Sequence, residues 1–148
     1  MKKFFLPLTM ILVLIISCNN QPPSPLIGTW QLVAATSTEG AKTVSTFDSK
    51  VKMIKIINPT HFSFFSHPIP NNKDTTNINF SAGGGPYTLK DSNYTEHLEY
   101  FIDRKWEGNS FDFVVKFNGD TLIQKGIEKV EGLGIDHIIE EKYIKIKN

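Results

Sequence analysis

The sequence predicts an all-β domain, an eight-stranded antiparallel up-and-down β-barrel, preceded by an N-terminal signal peptide. Three observations predict this fold class. From Leu26 onward, apolar and polar residues alternate with a period of two, which is typical of strands with one buried face. Turn-forming residues separate these alternating runs at short intervals, as they do between hairpin strands. A helical period is sustained for only about one turn, at residues 101–108.

The first three predicted strands cover residues 26–37, 51–58 and 60–67. Proline has no N–H to donate to a β-ladder, so Pro59 ends the second strand. Only Pro59 separates the second and third predicted strands, and this short spacing predicts a hairpin. After them, residues 68–77 (PIPNNKDTTN) combine proline, asparagine and aspartate, and they form the longest predicted connection of the domain.

Three consecutive glycines at residues 83–85 raise the question of a nucleotide-binding loop. A P-loop ends in Gly-Lys-Ser/Thr and is followed by a helix whose N–H groups face phosphate. Here the glycines lead into Pro-Tyr-Thr, and the sequence contains no Gly-Lys-Ser/Thr. We instead predict two strands, 85–90 and 93–102, joined by a turn at Asp91-Ser92-Asn93. The glycines then form a bend or bulge where the sheet curls.

The last three predicted strands are residues 110–117, 120–130 and a final strand that ends near Ile146. The first of them has the clearest apolar stripe of the chain, and Asn118-Gly119 is a preferred two-residue hairpin turn. Eight sequential strands with one apolar face are best satisfied by a barrel, because closure removes the unpaired edges. An eight-stranded interior holds side chains and one small ligand.

The N-terminal residues 1–17 have the pattern of a signal peptide. Lys2 and Lys3 form a charged start, and residues 4–16 form an apolar segment that contains Pro7. This segment is shorter than the roughly 20 residues that a membrane-spanning helix needs. A transmembrane anchor is the alternative interpretation.

Ile15-Ile16-Ser17-Cys18 resembles the lipobox of bacterial lipoproteins, in which the cysteine is acylated. Cys18 is the only cysteine, so an intramolecular disulfide is impossible, and acylation would cap an exported thiol. Secretion with a free Cys18 or an intermolecular disulfide is the alternative. The following residues are polar and proline-rich, which indicates a tether. The predicted division is signal peptide 1–17, lipidated cysteine and tether 18–25, and barrel 26–148.

The resemblance to lipoproteins also implies a location in the cell envelope. Asn19 and Asn20 follow the cysteine without an acidic residue, which favours the outer membrane, facing the periplasm. Sixteen basic residues stand against fifteen acidic ones, and without Lys2 and Lys3 the charge becomes −1. A concentrated basic face is needed to bind nucleic acid, so we predict no nucleic-acid partner. We expect the protein to contact the membrane through its N-terminal lipid.

Five segments together resemble the lipocalin-like domain family of uncharacterised bacterial lipoproteins, whose calycin-type β-barrel is related in architecture to lipocalins and fatty-acid-binding proteins. They are GTWQLV (28–33), THFSFF (60–65), GGGPYTLKDSNYTEHLEYF (83–101), FVVKFNGDTLIQKG (113–126) and IIEEKYIK (138–145). Phe64 and Tyr143 stand where the family pattern has tryptophan. The resemblance implies a barrel that binds a small molecule, without specifying the ligand.

The candidate ligand-contact residues are aromatic rings and carboxylates on the predicted inner face. Glu96 shares a strand face with Tyr94, Leu98 and Tyr100, and Glu141 alternates with Tyr143 in the same way. A buried carboxylate needs a partner or a raised pKa. Such a carboxylate can form a purely structural hydrogen bond, bind the polar end of a ligand, or act as an acid or base. The sequence does not decide among these three roles. The candidates are Trp30, which we also predict to plug the closed end, and Phe62, Phe64, Tyr87, Tyr94, Glu96, Phe113, Glu141 and Tyr143.

The sequence carries no recognised catalytic or metal-binding motif. The four histidines lack metal-ligand spacing, and no Gly-x-Ser-x-Gly nucleophile motif is present. We therefore expect no metal, no cofactor and no enzyme activity. The leading hypothesis is a lipid-anchored barrel that binds a small hydrophobic ligand. A solid barrel that serves as a scaffold for an unspecified protein partner is the alternative, and an enzyme that uses a barrel carboxylate is the third.

Overall fold

The structure is a computed structural model that describes residues 24–69 and 79–147. The predicted signal peptide (1–17) and the predicted lipid attachment at Cys18 lie outside the described residues, as does most of the predicted loop at 68–77. Within the described part of the chain, no helix is both long enough and apolar enough to cross a membrane.

The described chain consists of strands, short turns and two 3₁₀ turns. The strands are β1 Gly28–Glu39, β2 Lys42–Ser45, β3 Val51–Ile57, β4 His61–Pro68, β5 Ser81–Lys90, β6 Asn93–His97, β7 Tyr100–Phe101, β8 Ser110–Asn118, β9 Thr121–Val130 and β10 Ile135–Lys145. The 3₁₀ turns are Arg104–Trp106 and Glu131–Leu133. The first of these lies in the segment where the sequence allowed a single helical turn.

Eight of the strands close into an antiparallel barrel, in the order β1-β3-β4-β5-β6-β8-β9-β10, with β10 paired to β1. The predicted all-β class and strand number are confirmed. The remaining two strands are additions to the barrel, since β2 pairs only with the end of β1, and β7 contributes two residues beside β5. The β8–β9 hairpin turns at Gly119, whose φ of 57° suits glycine.

A β-bulge in β1 changes which of its residues face the interior. The register with β10 shifts between Leu32 and Ala34. Trp30 is buried before the bulge, whereas Ala35 and Ser37 are buried after it. The simple alternation of Trp30, Leu32 and Ala34 that the sequence indicated therefore ends at the bulge. An extra residue on one strand turns every later residue of that strand to the opposite face of the sheet.

The three glycines lie inside β5, which begins four residues earlier than predicted. A Cβ on Gly85 would overlap the carbonyl oxygen of His97, and one on Gly84 would lie 2.6 Å from the carbonyl oxygen of Phe62. The glycines thus allow both neighbouring strands to approach closely. The β4–β5 register is continuous, so the predicted bulge does not occur on that side.

The irregularity lies opposite the glycines, between β6 and β7. The predicted strand 93–102 is interrupted at Leu98 and Glu99. The Leu98 carbonyl accepts from the Gly108 N–H at 2.8 Å, across the segment that contains the first 3₁₀ turn. As a consequence, Tyr100 does not share the inner face with Tyr94 and is 66% exposed.

One end of the barrel, which we call the plugged end, is filled by large apolar side chains. β1 and β9 begin at this end, and β3 ends there. The indole N–H of Trp30 donates to the Leu26 carbonyl at 2.8 Å, so burial of the ring leaves no donor unsatisfied. The predicted role of Trp30 as a plug is consistent with this placement. Its neighbours in the buried core include Leu26, Ile57, Phe62, Leu122 and Tyr143.

Candidate functional site

A cavity of about 320 Å³ occupies the half of the barrel away from the plugged end, and it is partly open to solvent. We call this half the cavity end. Its apolar wall is formed by Met53, Phe64, Leu98, Phe101, Trp106 and Phe111. Its polar lining is formed by Lys55, Ser66, Ser81, Glu96, Gln124, Glu128 and Glu141. A mainly apolar cleft with a few convergent polar groups is the usual form of a small-molecule site.

Lys55 lies at the depth of the cavity. It occupies an inward position of β3, in alternation with Met53 and Ile57, and the residue is 2% exposed. Its ammonium group spans the interior to β6 and β9. There it donates to Glu96 Oε1 at 2.7 Å and to Gln124 Oε1 at 3.0 Å.

Two opposing effects determine the charge state of Lys55. Burial would lower the pKa of its amine, but the carboxylates of Glu96 and Glu141 outweigh burial and raise the pKa above its usual value. The ammonium also lies 5.3 Å from the centre of the Tyr143 ring and 5.8 Å from that of Phe62, distances at which ring faces attract a cation. Lys55 is therefore a protonated and fully surrounded cation.

Glu141 is the second carboxylate of the site. It faces inward on β10, opposite Gln124 of β9 in the strand register. The Tyr143 hydroxyl, two residues along β10, donates to Glu141 Oε2 at 2.6 Å. Burial raises the pKa of Glu141, although Lys55 and the Tyr143 hydroxyl act in the opposite direction. We call Lys55, Glu96, Gln124 and Glu141 the polar cluster.

The Tyr94 hydroxyl is buried and has no hydrogen-bond partner among the residues that the structure describes. Burial, and then the nearby Glu96 carboxylate, raise the pKa of Tyr94 far above that of a free tyrosine. Its ring packs 5.2 Å from that of Tyr87. The Tyr87 hydroxyl donates to the Asn58 carbonyl at 2.9 Å, beside the β3–β4 turn and away from the cavity.

A histidine–glutamate pair lies near the cavity. Glu128 of β9 lines the cavity, and its Oε2 is 3.0 Å from His137 Nε2. His137 Nδ1 is 3.8 Å from a carboxylate oxygen of Glu39. Among the described residues, no group of three or more histidine, cysteine, aspartate or glutamate side chains is arranged to hold a metal ion.

The structure brings together only some of the predicted ligand-contact residues. Phe64, Glu96 and Glu141 line the cavity. Tyr143 is buried behind it and is joined to it through Glu141. The remaining candidates contact the core or the β3–β4 turn rather than the cavity: Trp30, Phe62, Tyr87, Tyr94 and Phe113.

The sequence reasoning missed Lys55 and Gln124, although a local signal existed for both. Lys52 is exposed, and a strict alternation from Lys52 places Lys55 on the inner face of β3. In the same way, Gln124 alternates with the fully buried Leu122 on β9. A polar residue in phase with an apolar stripe indicates an internal polar group. The cavity-lining Trp106 lies in the segment 101–108, where the sequence indicated only a single helical turn.

A comparison with known families matches residues 25–148 to the family described as Domain of unknown function (DUF4488). The match covers all the strands of the barrel and every residue of the polar cluster. No curated protein matches the chain. Because the family match extends over most of the sequence, the chain belongs to the DUF4488 family.

Proposed function

We propose that this chain is a lipid-anchored protein of the cell envelope whose barrel binds a small, mainly apolar molecule without transforming it. The observation that carries the proposal is the cavity, which combines an apolar wall with the polar cluster at its depth. The apolar wall offers burial to the body of a ligand. The polar cluster offers hydrogen bonds that fix the orientation of its polar end.

The size of the cavity limits the ligand. Its volume of about 320 Å³ lies at the lower end of the range of ligand pockets, roughly 300–1,000 Å³. The space therefore suits a ligand at the small end of those that such pockets bind. The expected ligand is therefore a short amphiphile or a single ring with a side chain.

Hydrogen bonds hold both carboxylates of the polar cluster in place, which supports a binding function. Glu96 is held by Lys55, and Glu141 is held by the Tyr143 hydroxyl. Groups that are positioned before the ligand arrives reduce the ordering cost of binding. The resemblance to lipocalin-like domains adds independent support, because their barrels are binding scaffolds.

The proposed anchor is compatible with access to the cavity. Acylation at Cys18, after removal of residues 1–17, would place the tether at residues 18–25. The described chain enters the barrel at the plugged end, where Lys145 Nζ lies 3.3 Å from the Pro25 carbonyl. The described chain therefore begins at the end of the barrel opposite the cavity. We place the protein at the outer membrane, facing the periplasm.

The test of ligand binding is native mass spectrometry of the protein after mild extraction. Ser66 lines the cavity, so Ser66→Phe fills part of it. Ser63, on the outer face of the same strand, provides the matched control Ser63→Phe. We expect a bound small molecule on the wild type and on Ser63→Phe, and its loss from Ser66→Phe. A wild-type protein that carries no small molecule, in every growth condition tried, would contradict the proposal.

One observation favours a protein-binding scaffold as the second candidate. Tyr100 and Ile102 are 66% and 60% exposed, next to the cavity-lining Phe101, and large exposed apolar side chains are common at interfaces. This candidate requires that cross-linking in intact envelopes captures one protein, and that the capture is lost in Tyr100→Ser with Ile102→Ser. A cross-linking pattern that is the same for the wild type and the double variant would exclude this surface.

A further inference from the structure

The charges around the cavity are unbalanced. Among the described residues that line it, the ionisable side chains are one lysine and three glutamates, Lys55, Glu96, Glu128 and Glu141. His137 Nε2 lies 3.0 Å from Glu128 Oε2, so Glu128 already has a partner. At the depth of the cavity, Lys55 is the single cation and two carboxylates surround it.

The one cation already uses two of its three N–H donors. An ammonium group has three N–H donors. Two of those of Lys55 are taken by Glu96 and Gln124, and the ammonium otherwise faces the rings of Phe62 and Tyr143. An anionic ligand would therefore find one remaining N–H donor on Lys55, with the carboxylates of Glu96 and Glu141 beside it.

The carboxylate oxygens of the cavity, in contrast, can accept further hydrogen bonds. Lys55 bonds one oxygen of Glu96, Oε1, and Tyr143 bonds one oxygen of Glu141, Oε2. The second oxygen of Glu141 has no hydrogen bond from the described part of the chain, and at Glu96 the nearby Tyr94 hydroxyl lies beyond hydrogen-bond distance. A carboxylate oxygen accepts more than one bond. The site thus offers acceptors and negative charge to an incoming polar group.

We propose that the cavity selects an amphiphile whose polar end is a protonated amine, seated between Glu96 and Glu141, with its alkyl body against Phe64, Leu98 and Trp106. This inference rests on the proposed binding function and narrows its ligand class. An alkylammonium supplies the missing positive charge and donates to the open oxygens. An alkyl carboxylate would instead place like charge beside both glutamates, which disfavours it.

The inference also implies a proton linkage. Burial raises the pKa of Glu141, and the groups that face it are Lys55 on β3, Glu96 on β6, Glu128 on β9 and Tyr143 on β10. A bound ammonium adds a second cation beside Glu141 and favours its ionised form. Binding of an amine should therefore weaken as the pH falls and Glu141 takes up a proton, whereas binding of a neutral alcohol should not.

The experiment is a calorimetric titration of the full chain in lipid nanodiscs, with empty nanodiscs as the blank. Three probes of equal chain length are compared at pH 7: hexylamine, 1-hexanol and hexanoate. We expect hexylamine to bind at least tenfold more tightly than hexanoate, with 1-hexanol between them. Titration of hexylamine at a lower pH should show weaker binding, and titration of 1-hexanol should not.

Two adjacent glutamates of β10 provide a matched pair of variants. Glu141 faces the cavity, whereas Glu140 bonds Lys125 on the outer surface at 3.1 Å. Glu141→Gln should weaken hexylamine binding about tenfold and leave 1-hexanol unchanged, and Glu140→Gln should alter neither. The ranking of probes on the wild type needs no variant, so the test does not depend on the folding of Glu141→Gln.

The outcomes separate this inference from the binding function. If hexanoate or 1-hexanol binds more tightly than hexylamine, the amine assignment is wrong and the proposed ligand-binding function stands. If hexylamine binds equally to the wild type, Glu141→Gln and the cavity-filling Ser66→Phe, it binds elsewhere and the assignment is also wrong. If none of the three probes binds, the amine assignment fails, and the native mass spectrometry described above decides the binding function.

Discussion

Lys55 Nζ lies 2.7 Å from Glu96 Oε1 inside the barrel, and the two side chains are 3% and 8% exposed. They are 41 residues apart in the sequence and belong to β3 and β6. The pair therefore forms only when the barrel has closed in its native register. Removing two charges from water is costly, and the mutual attraction together with added hydrogen bonds offsets the cost only in good geometry.

The first prediction concerns the loss of one partner of this pair. Lys55→Met leaves Glu96 and Glu141 buried without their cation, and we expect the free energy of unfolding to fall by about 3–5 kcal/mol. Urea denaturation measures the change. Lys52→Met, on the exposed face of the same strand, should stay within about 0.5 kcal/mol of the wild type. Equal effects of the two substitutions would show that the ion pair is not structurally important.

The second prediction tests the close approach of strands at the glycines. Gly85→Ala places a methyl group against the His97 carbonyl oxygen, so a strand must shift. Overpacking of this kind costs roughly 1–3 kcal/mol or more, and we expect the upper end because the obstacle is backbone. Gly132→Ala is the control, since a Cβ there meets nothing within 4 Å. A thermal unfolding midpoint for Gly85→Ala equal to that of Gly132→Ala would disprove the steric role.

The third prediction contrasts two buried tyrosines. The Tyr94 hydroxyl lacks a partner among the described residues, whereas the Tyr143 hydroxyl donates to Glu141 at 2.6 Å. Tyr94→Phe removes an unsatisfied polar group and should stabilise the protein by about 1 kcal/mol or leave it unchanged. Tyr143→Phe should destabilise it by about 1–3 kcal/mol, because a buried acceptor loses its donor. Chemical denaturation of both variants shows which of them is the more stable. The reverse order would contradict this account of the polar cluster.

Most of the fold could be predicted from the sequence because its signals are local. Alternation along residues 110–117 and the Asn118-Gly119 turn each require only a few neighbouring residues, and β8 and its hairpin to β9 follow them closely. The β1 bulge and the break at Leu98 and Glu99 could not be predicted in this way. Both are set by the register of the partner strands, β10 for the bulge and β5 for the break.

Only part of the site could be predicted from the sequence, for a related reason. Glu96 and Glu141 were identified because each alternates with an aromatic residue on a predicted inner face. Lys55 reaches Glu96 and Gln124, which are 41 and 69 residues away, and only barrel closure brings these three together. Local alternation therefore indicates which residues point inward. It does not indicate which inward residues meet, nor that Phe113 packs in the core while Phe64 lines the cavity.

The last prediction concerns alkaline pH. Burial raises the pKa of Tyr94 and of Tyr143 above the usual 10.0, and Glu96 and Glu141 raise the pKa of Lys55 above 10.5 despite its burial. Above these usual values the unfolded chain releases protons that the folded barrel retains. The stabilisation is therefore complete below about pH 10 and decreases as the pH rises further, by about 1.4 kcal/mol per pH unit for each retained proton.

Tyr94→Phe should reduce this slope by about one proton's contribution, which urea denaturation at pH 9–11 measures. Tyr100→Phe, at an exposed position, should leave the slope unchanged. Equal slopes for the wild type and Tyr94→Phe would show that the Tyr94 hydroxyl reaches solvent in the folded barrel.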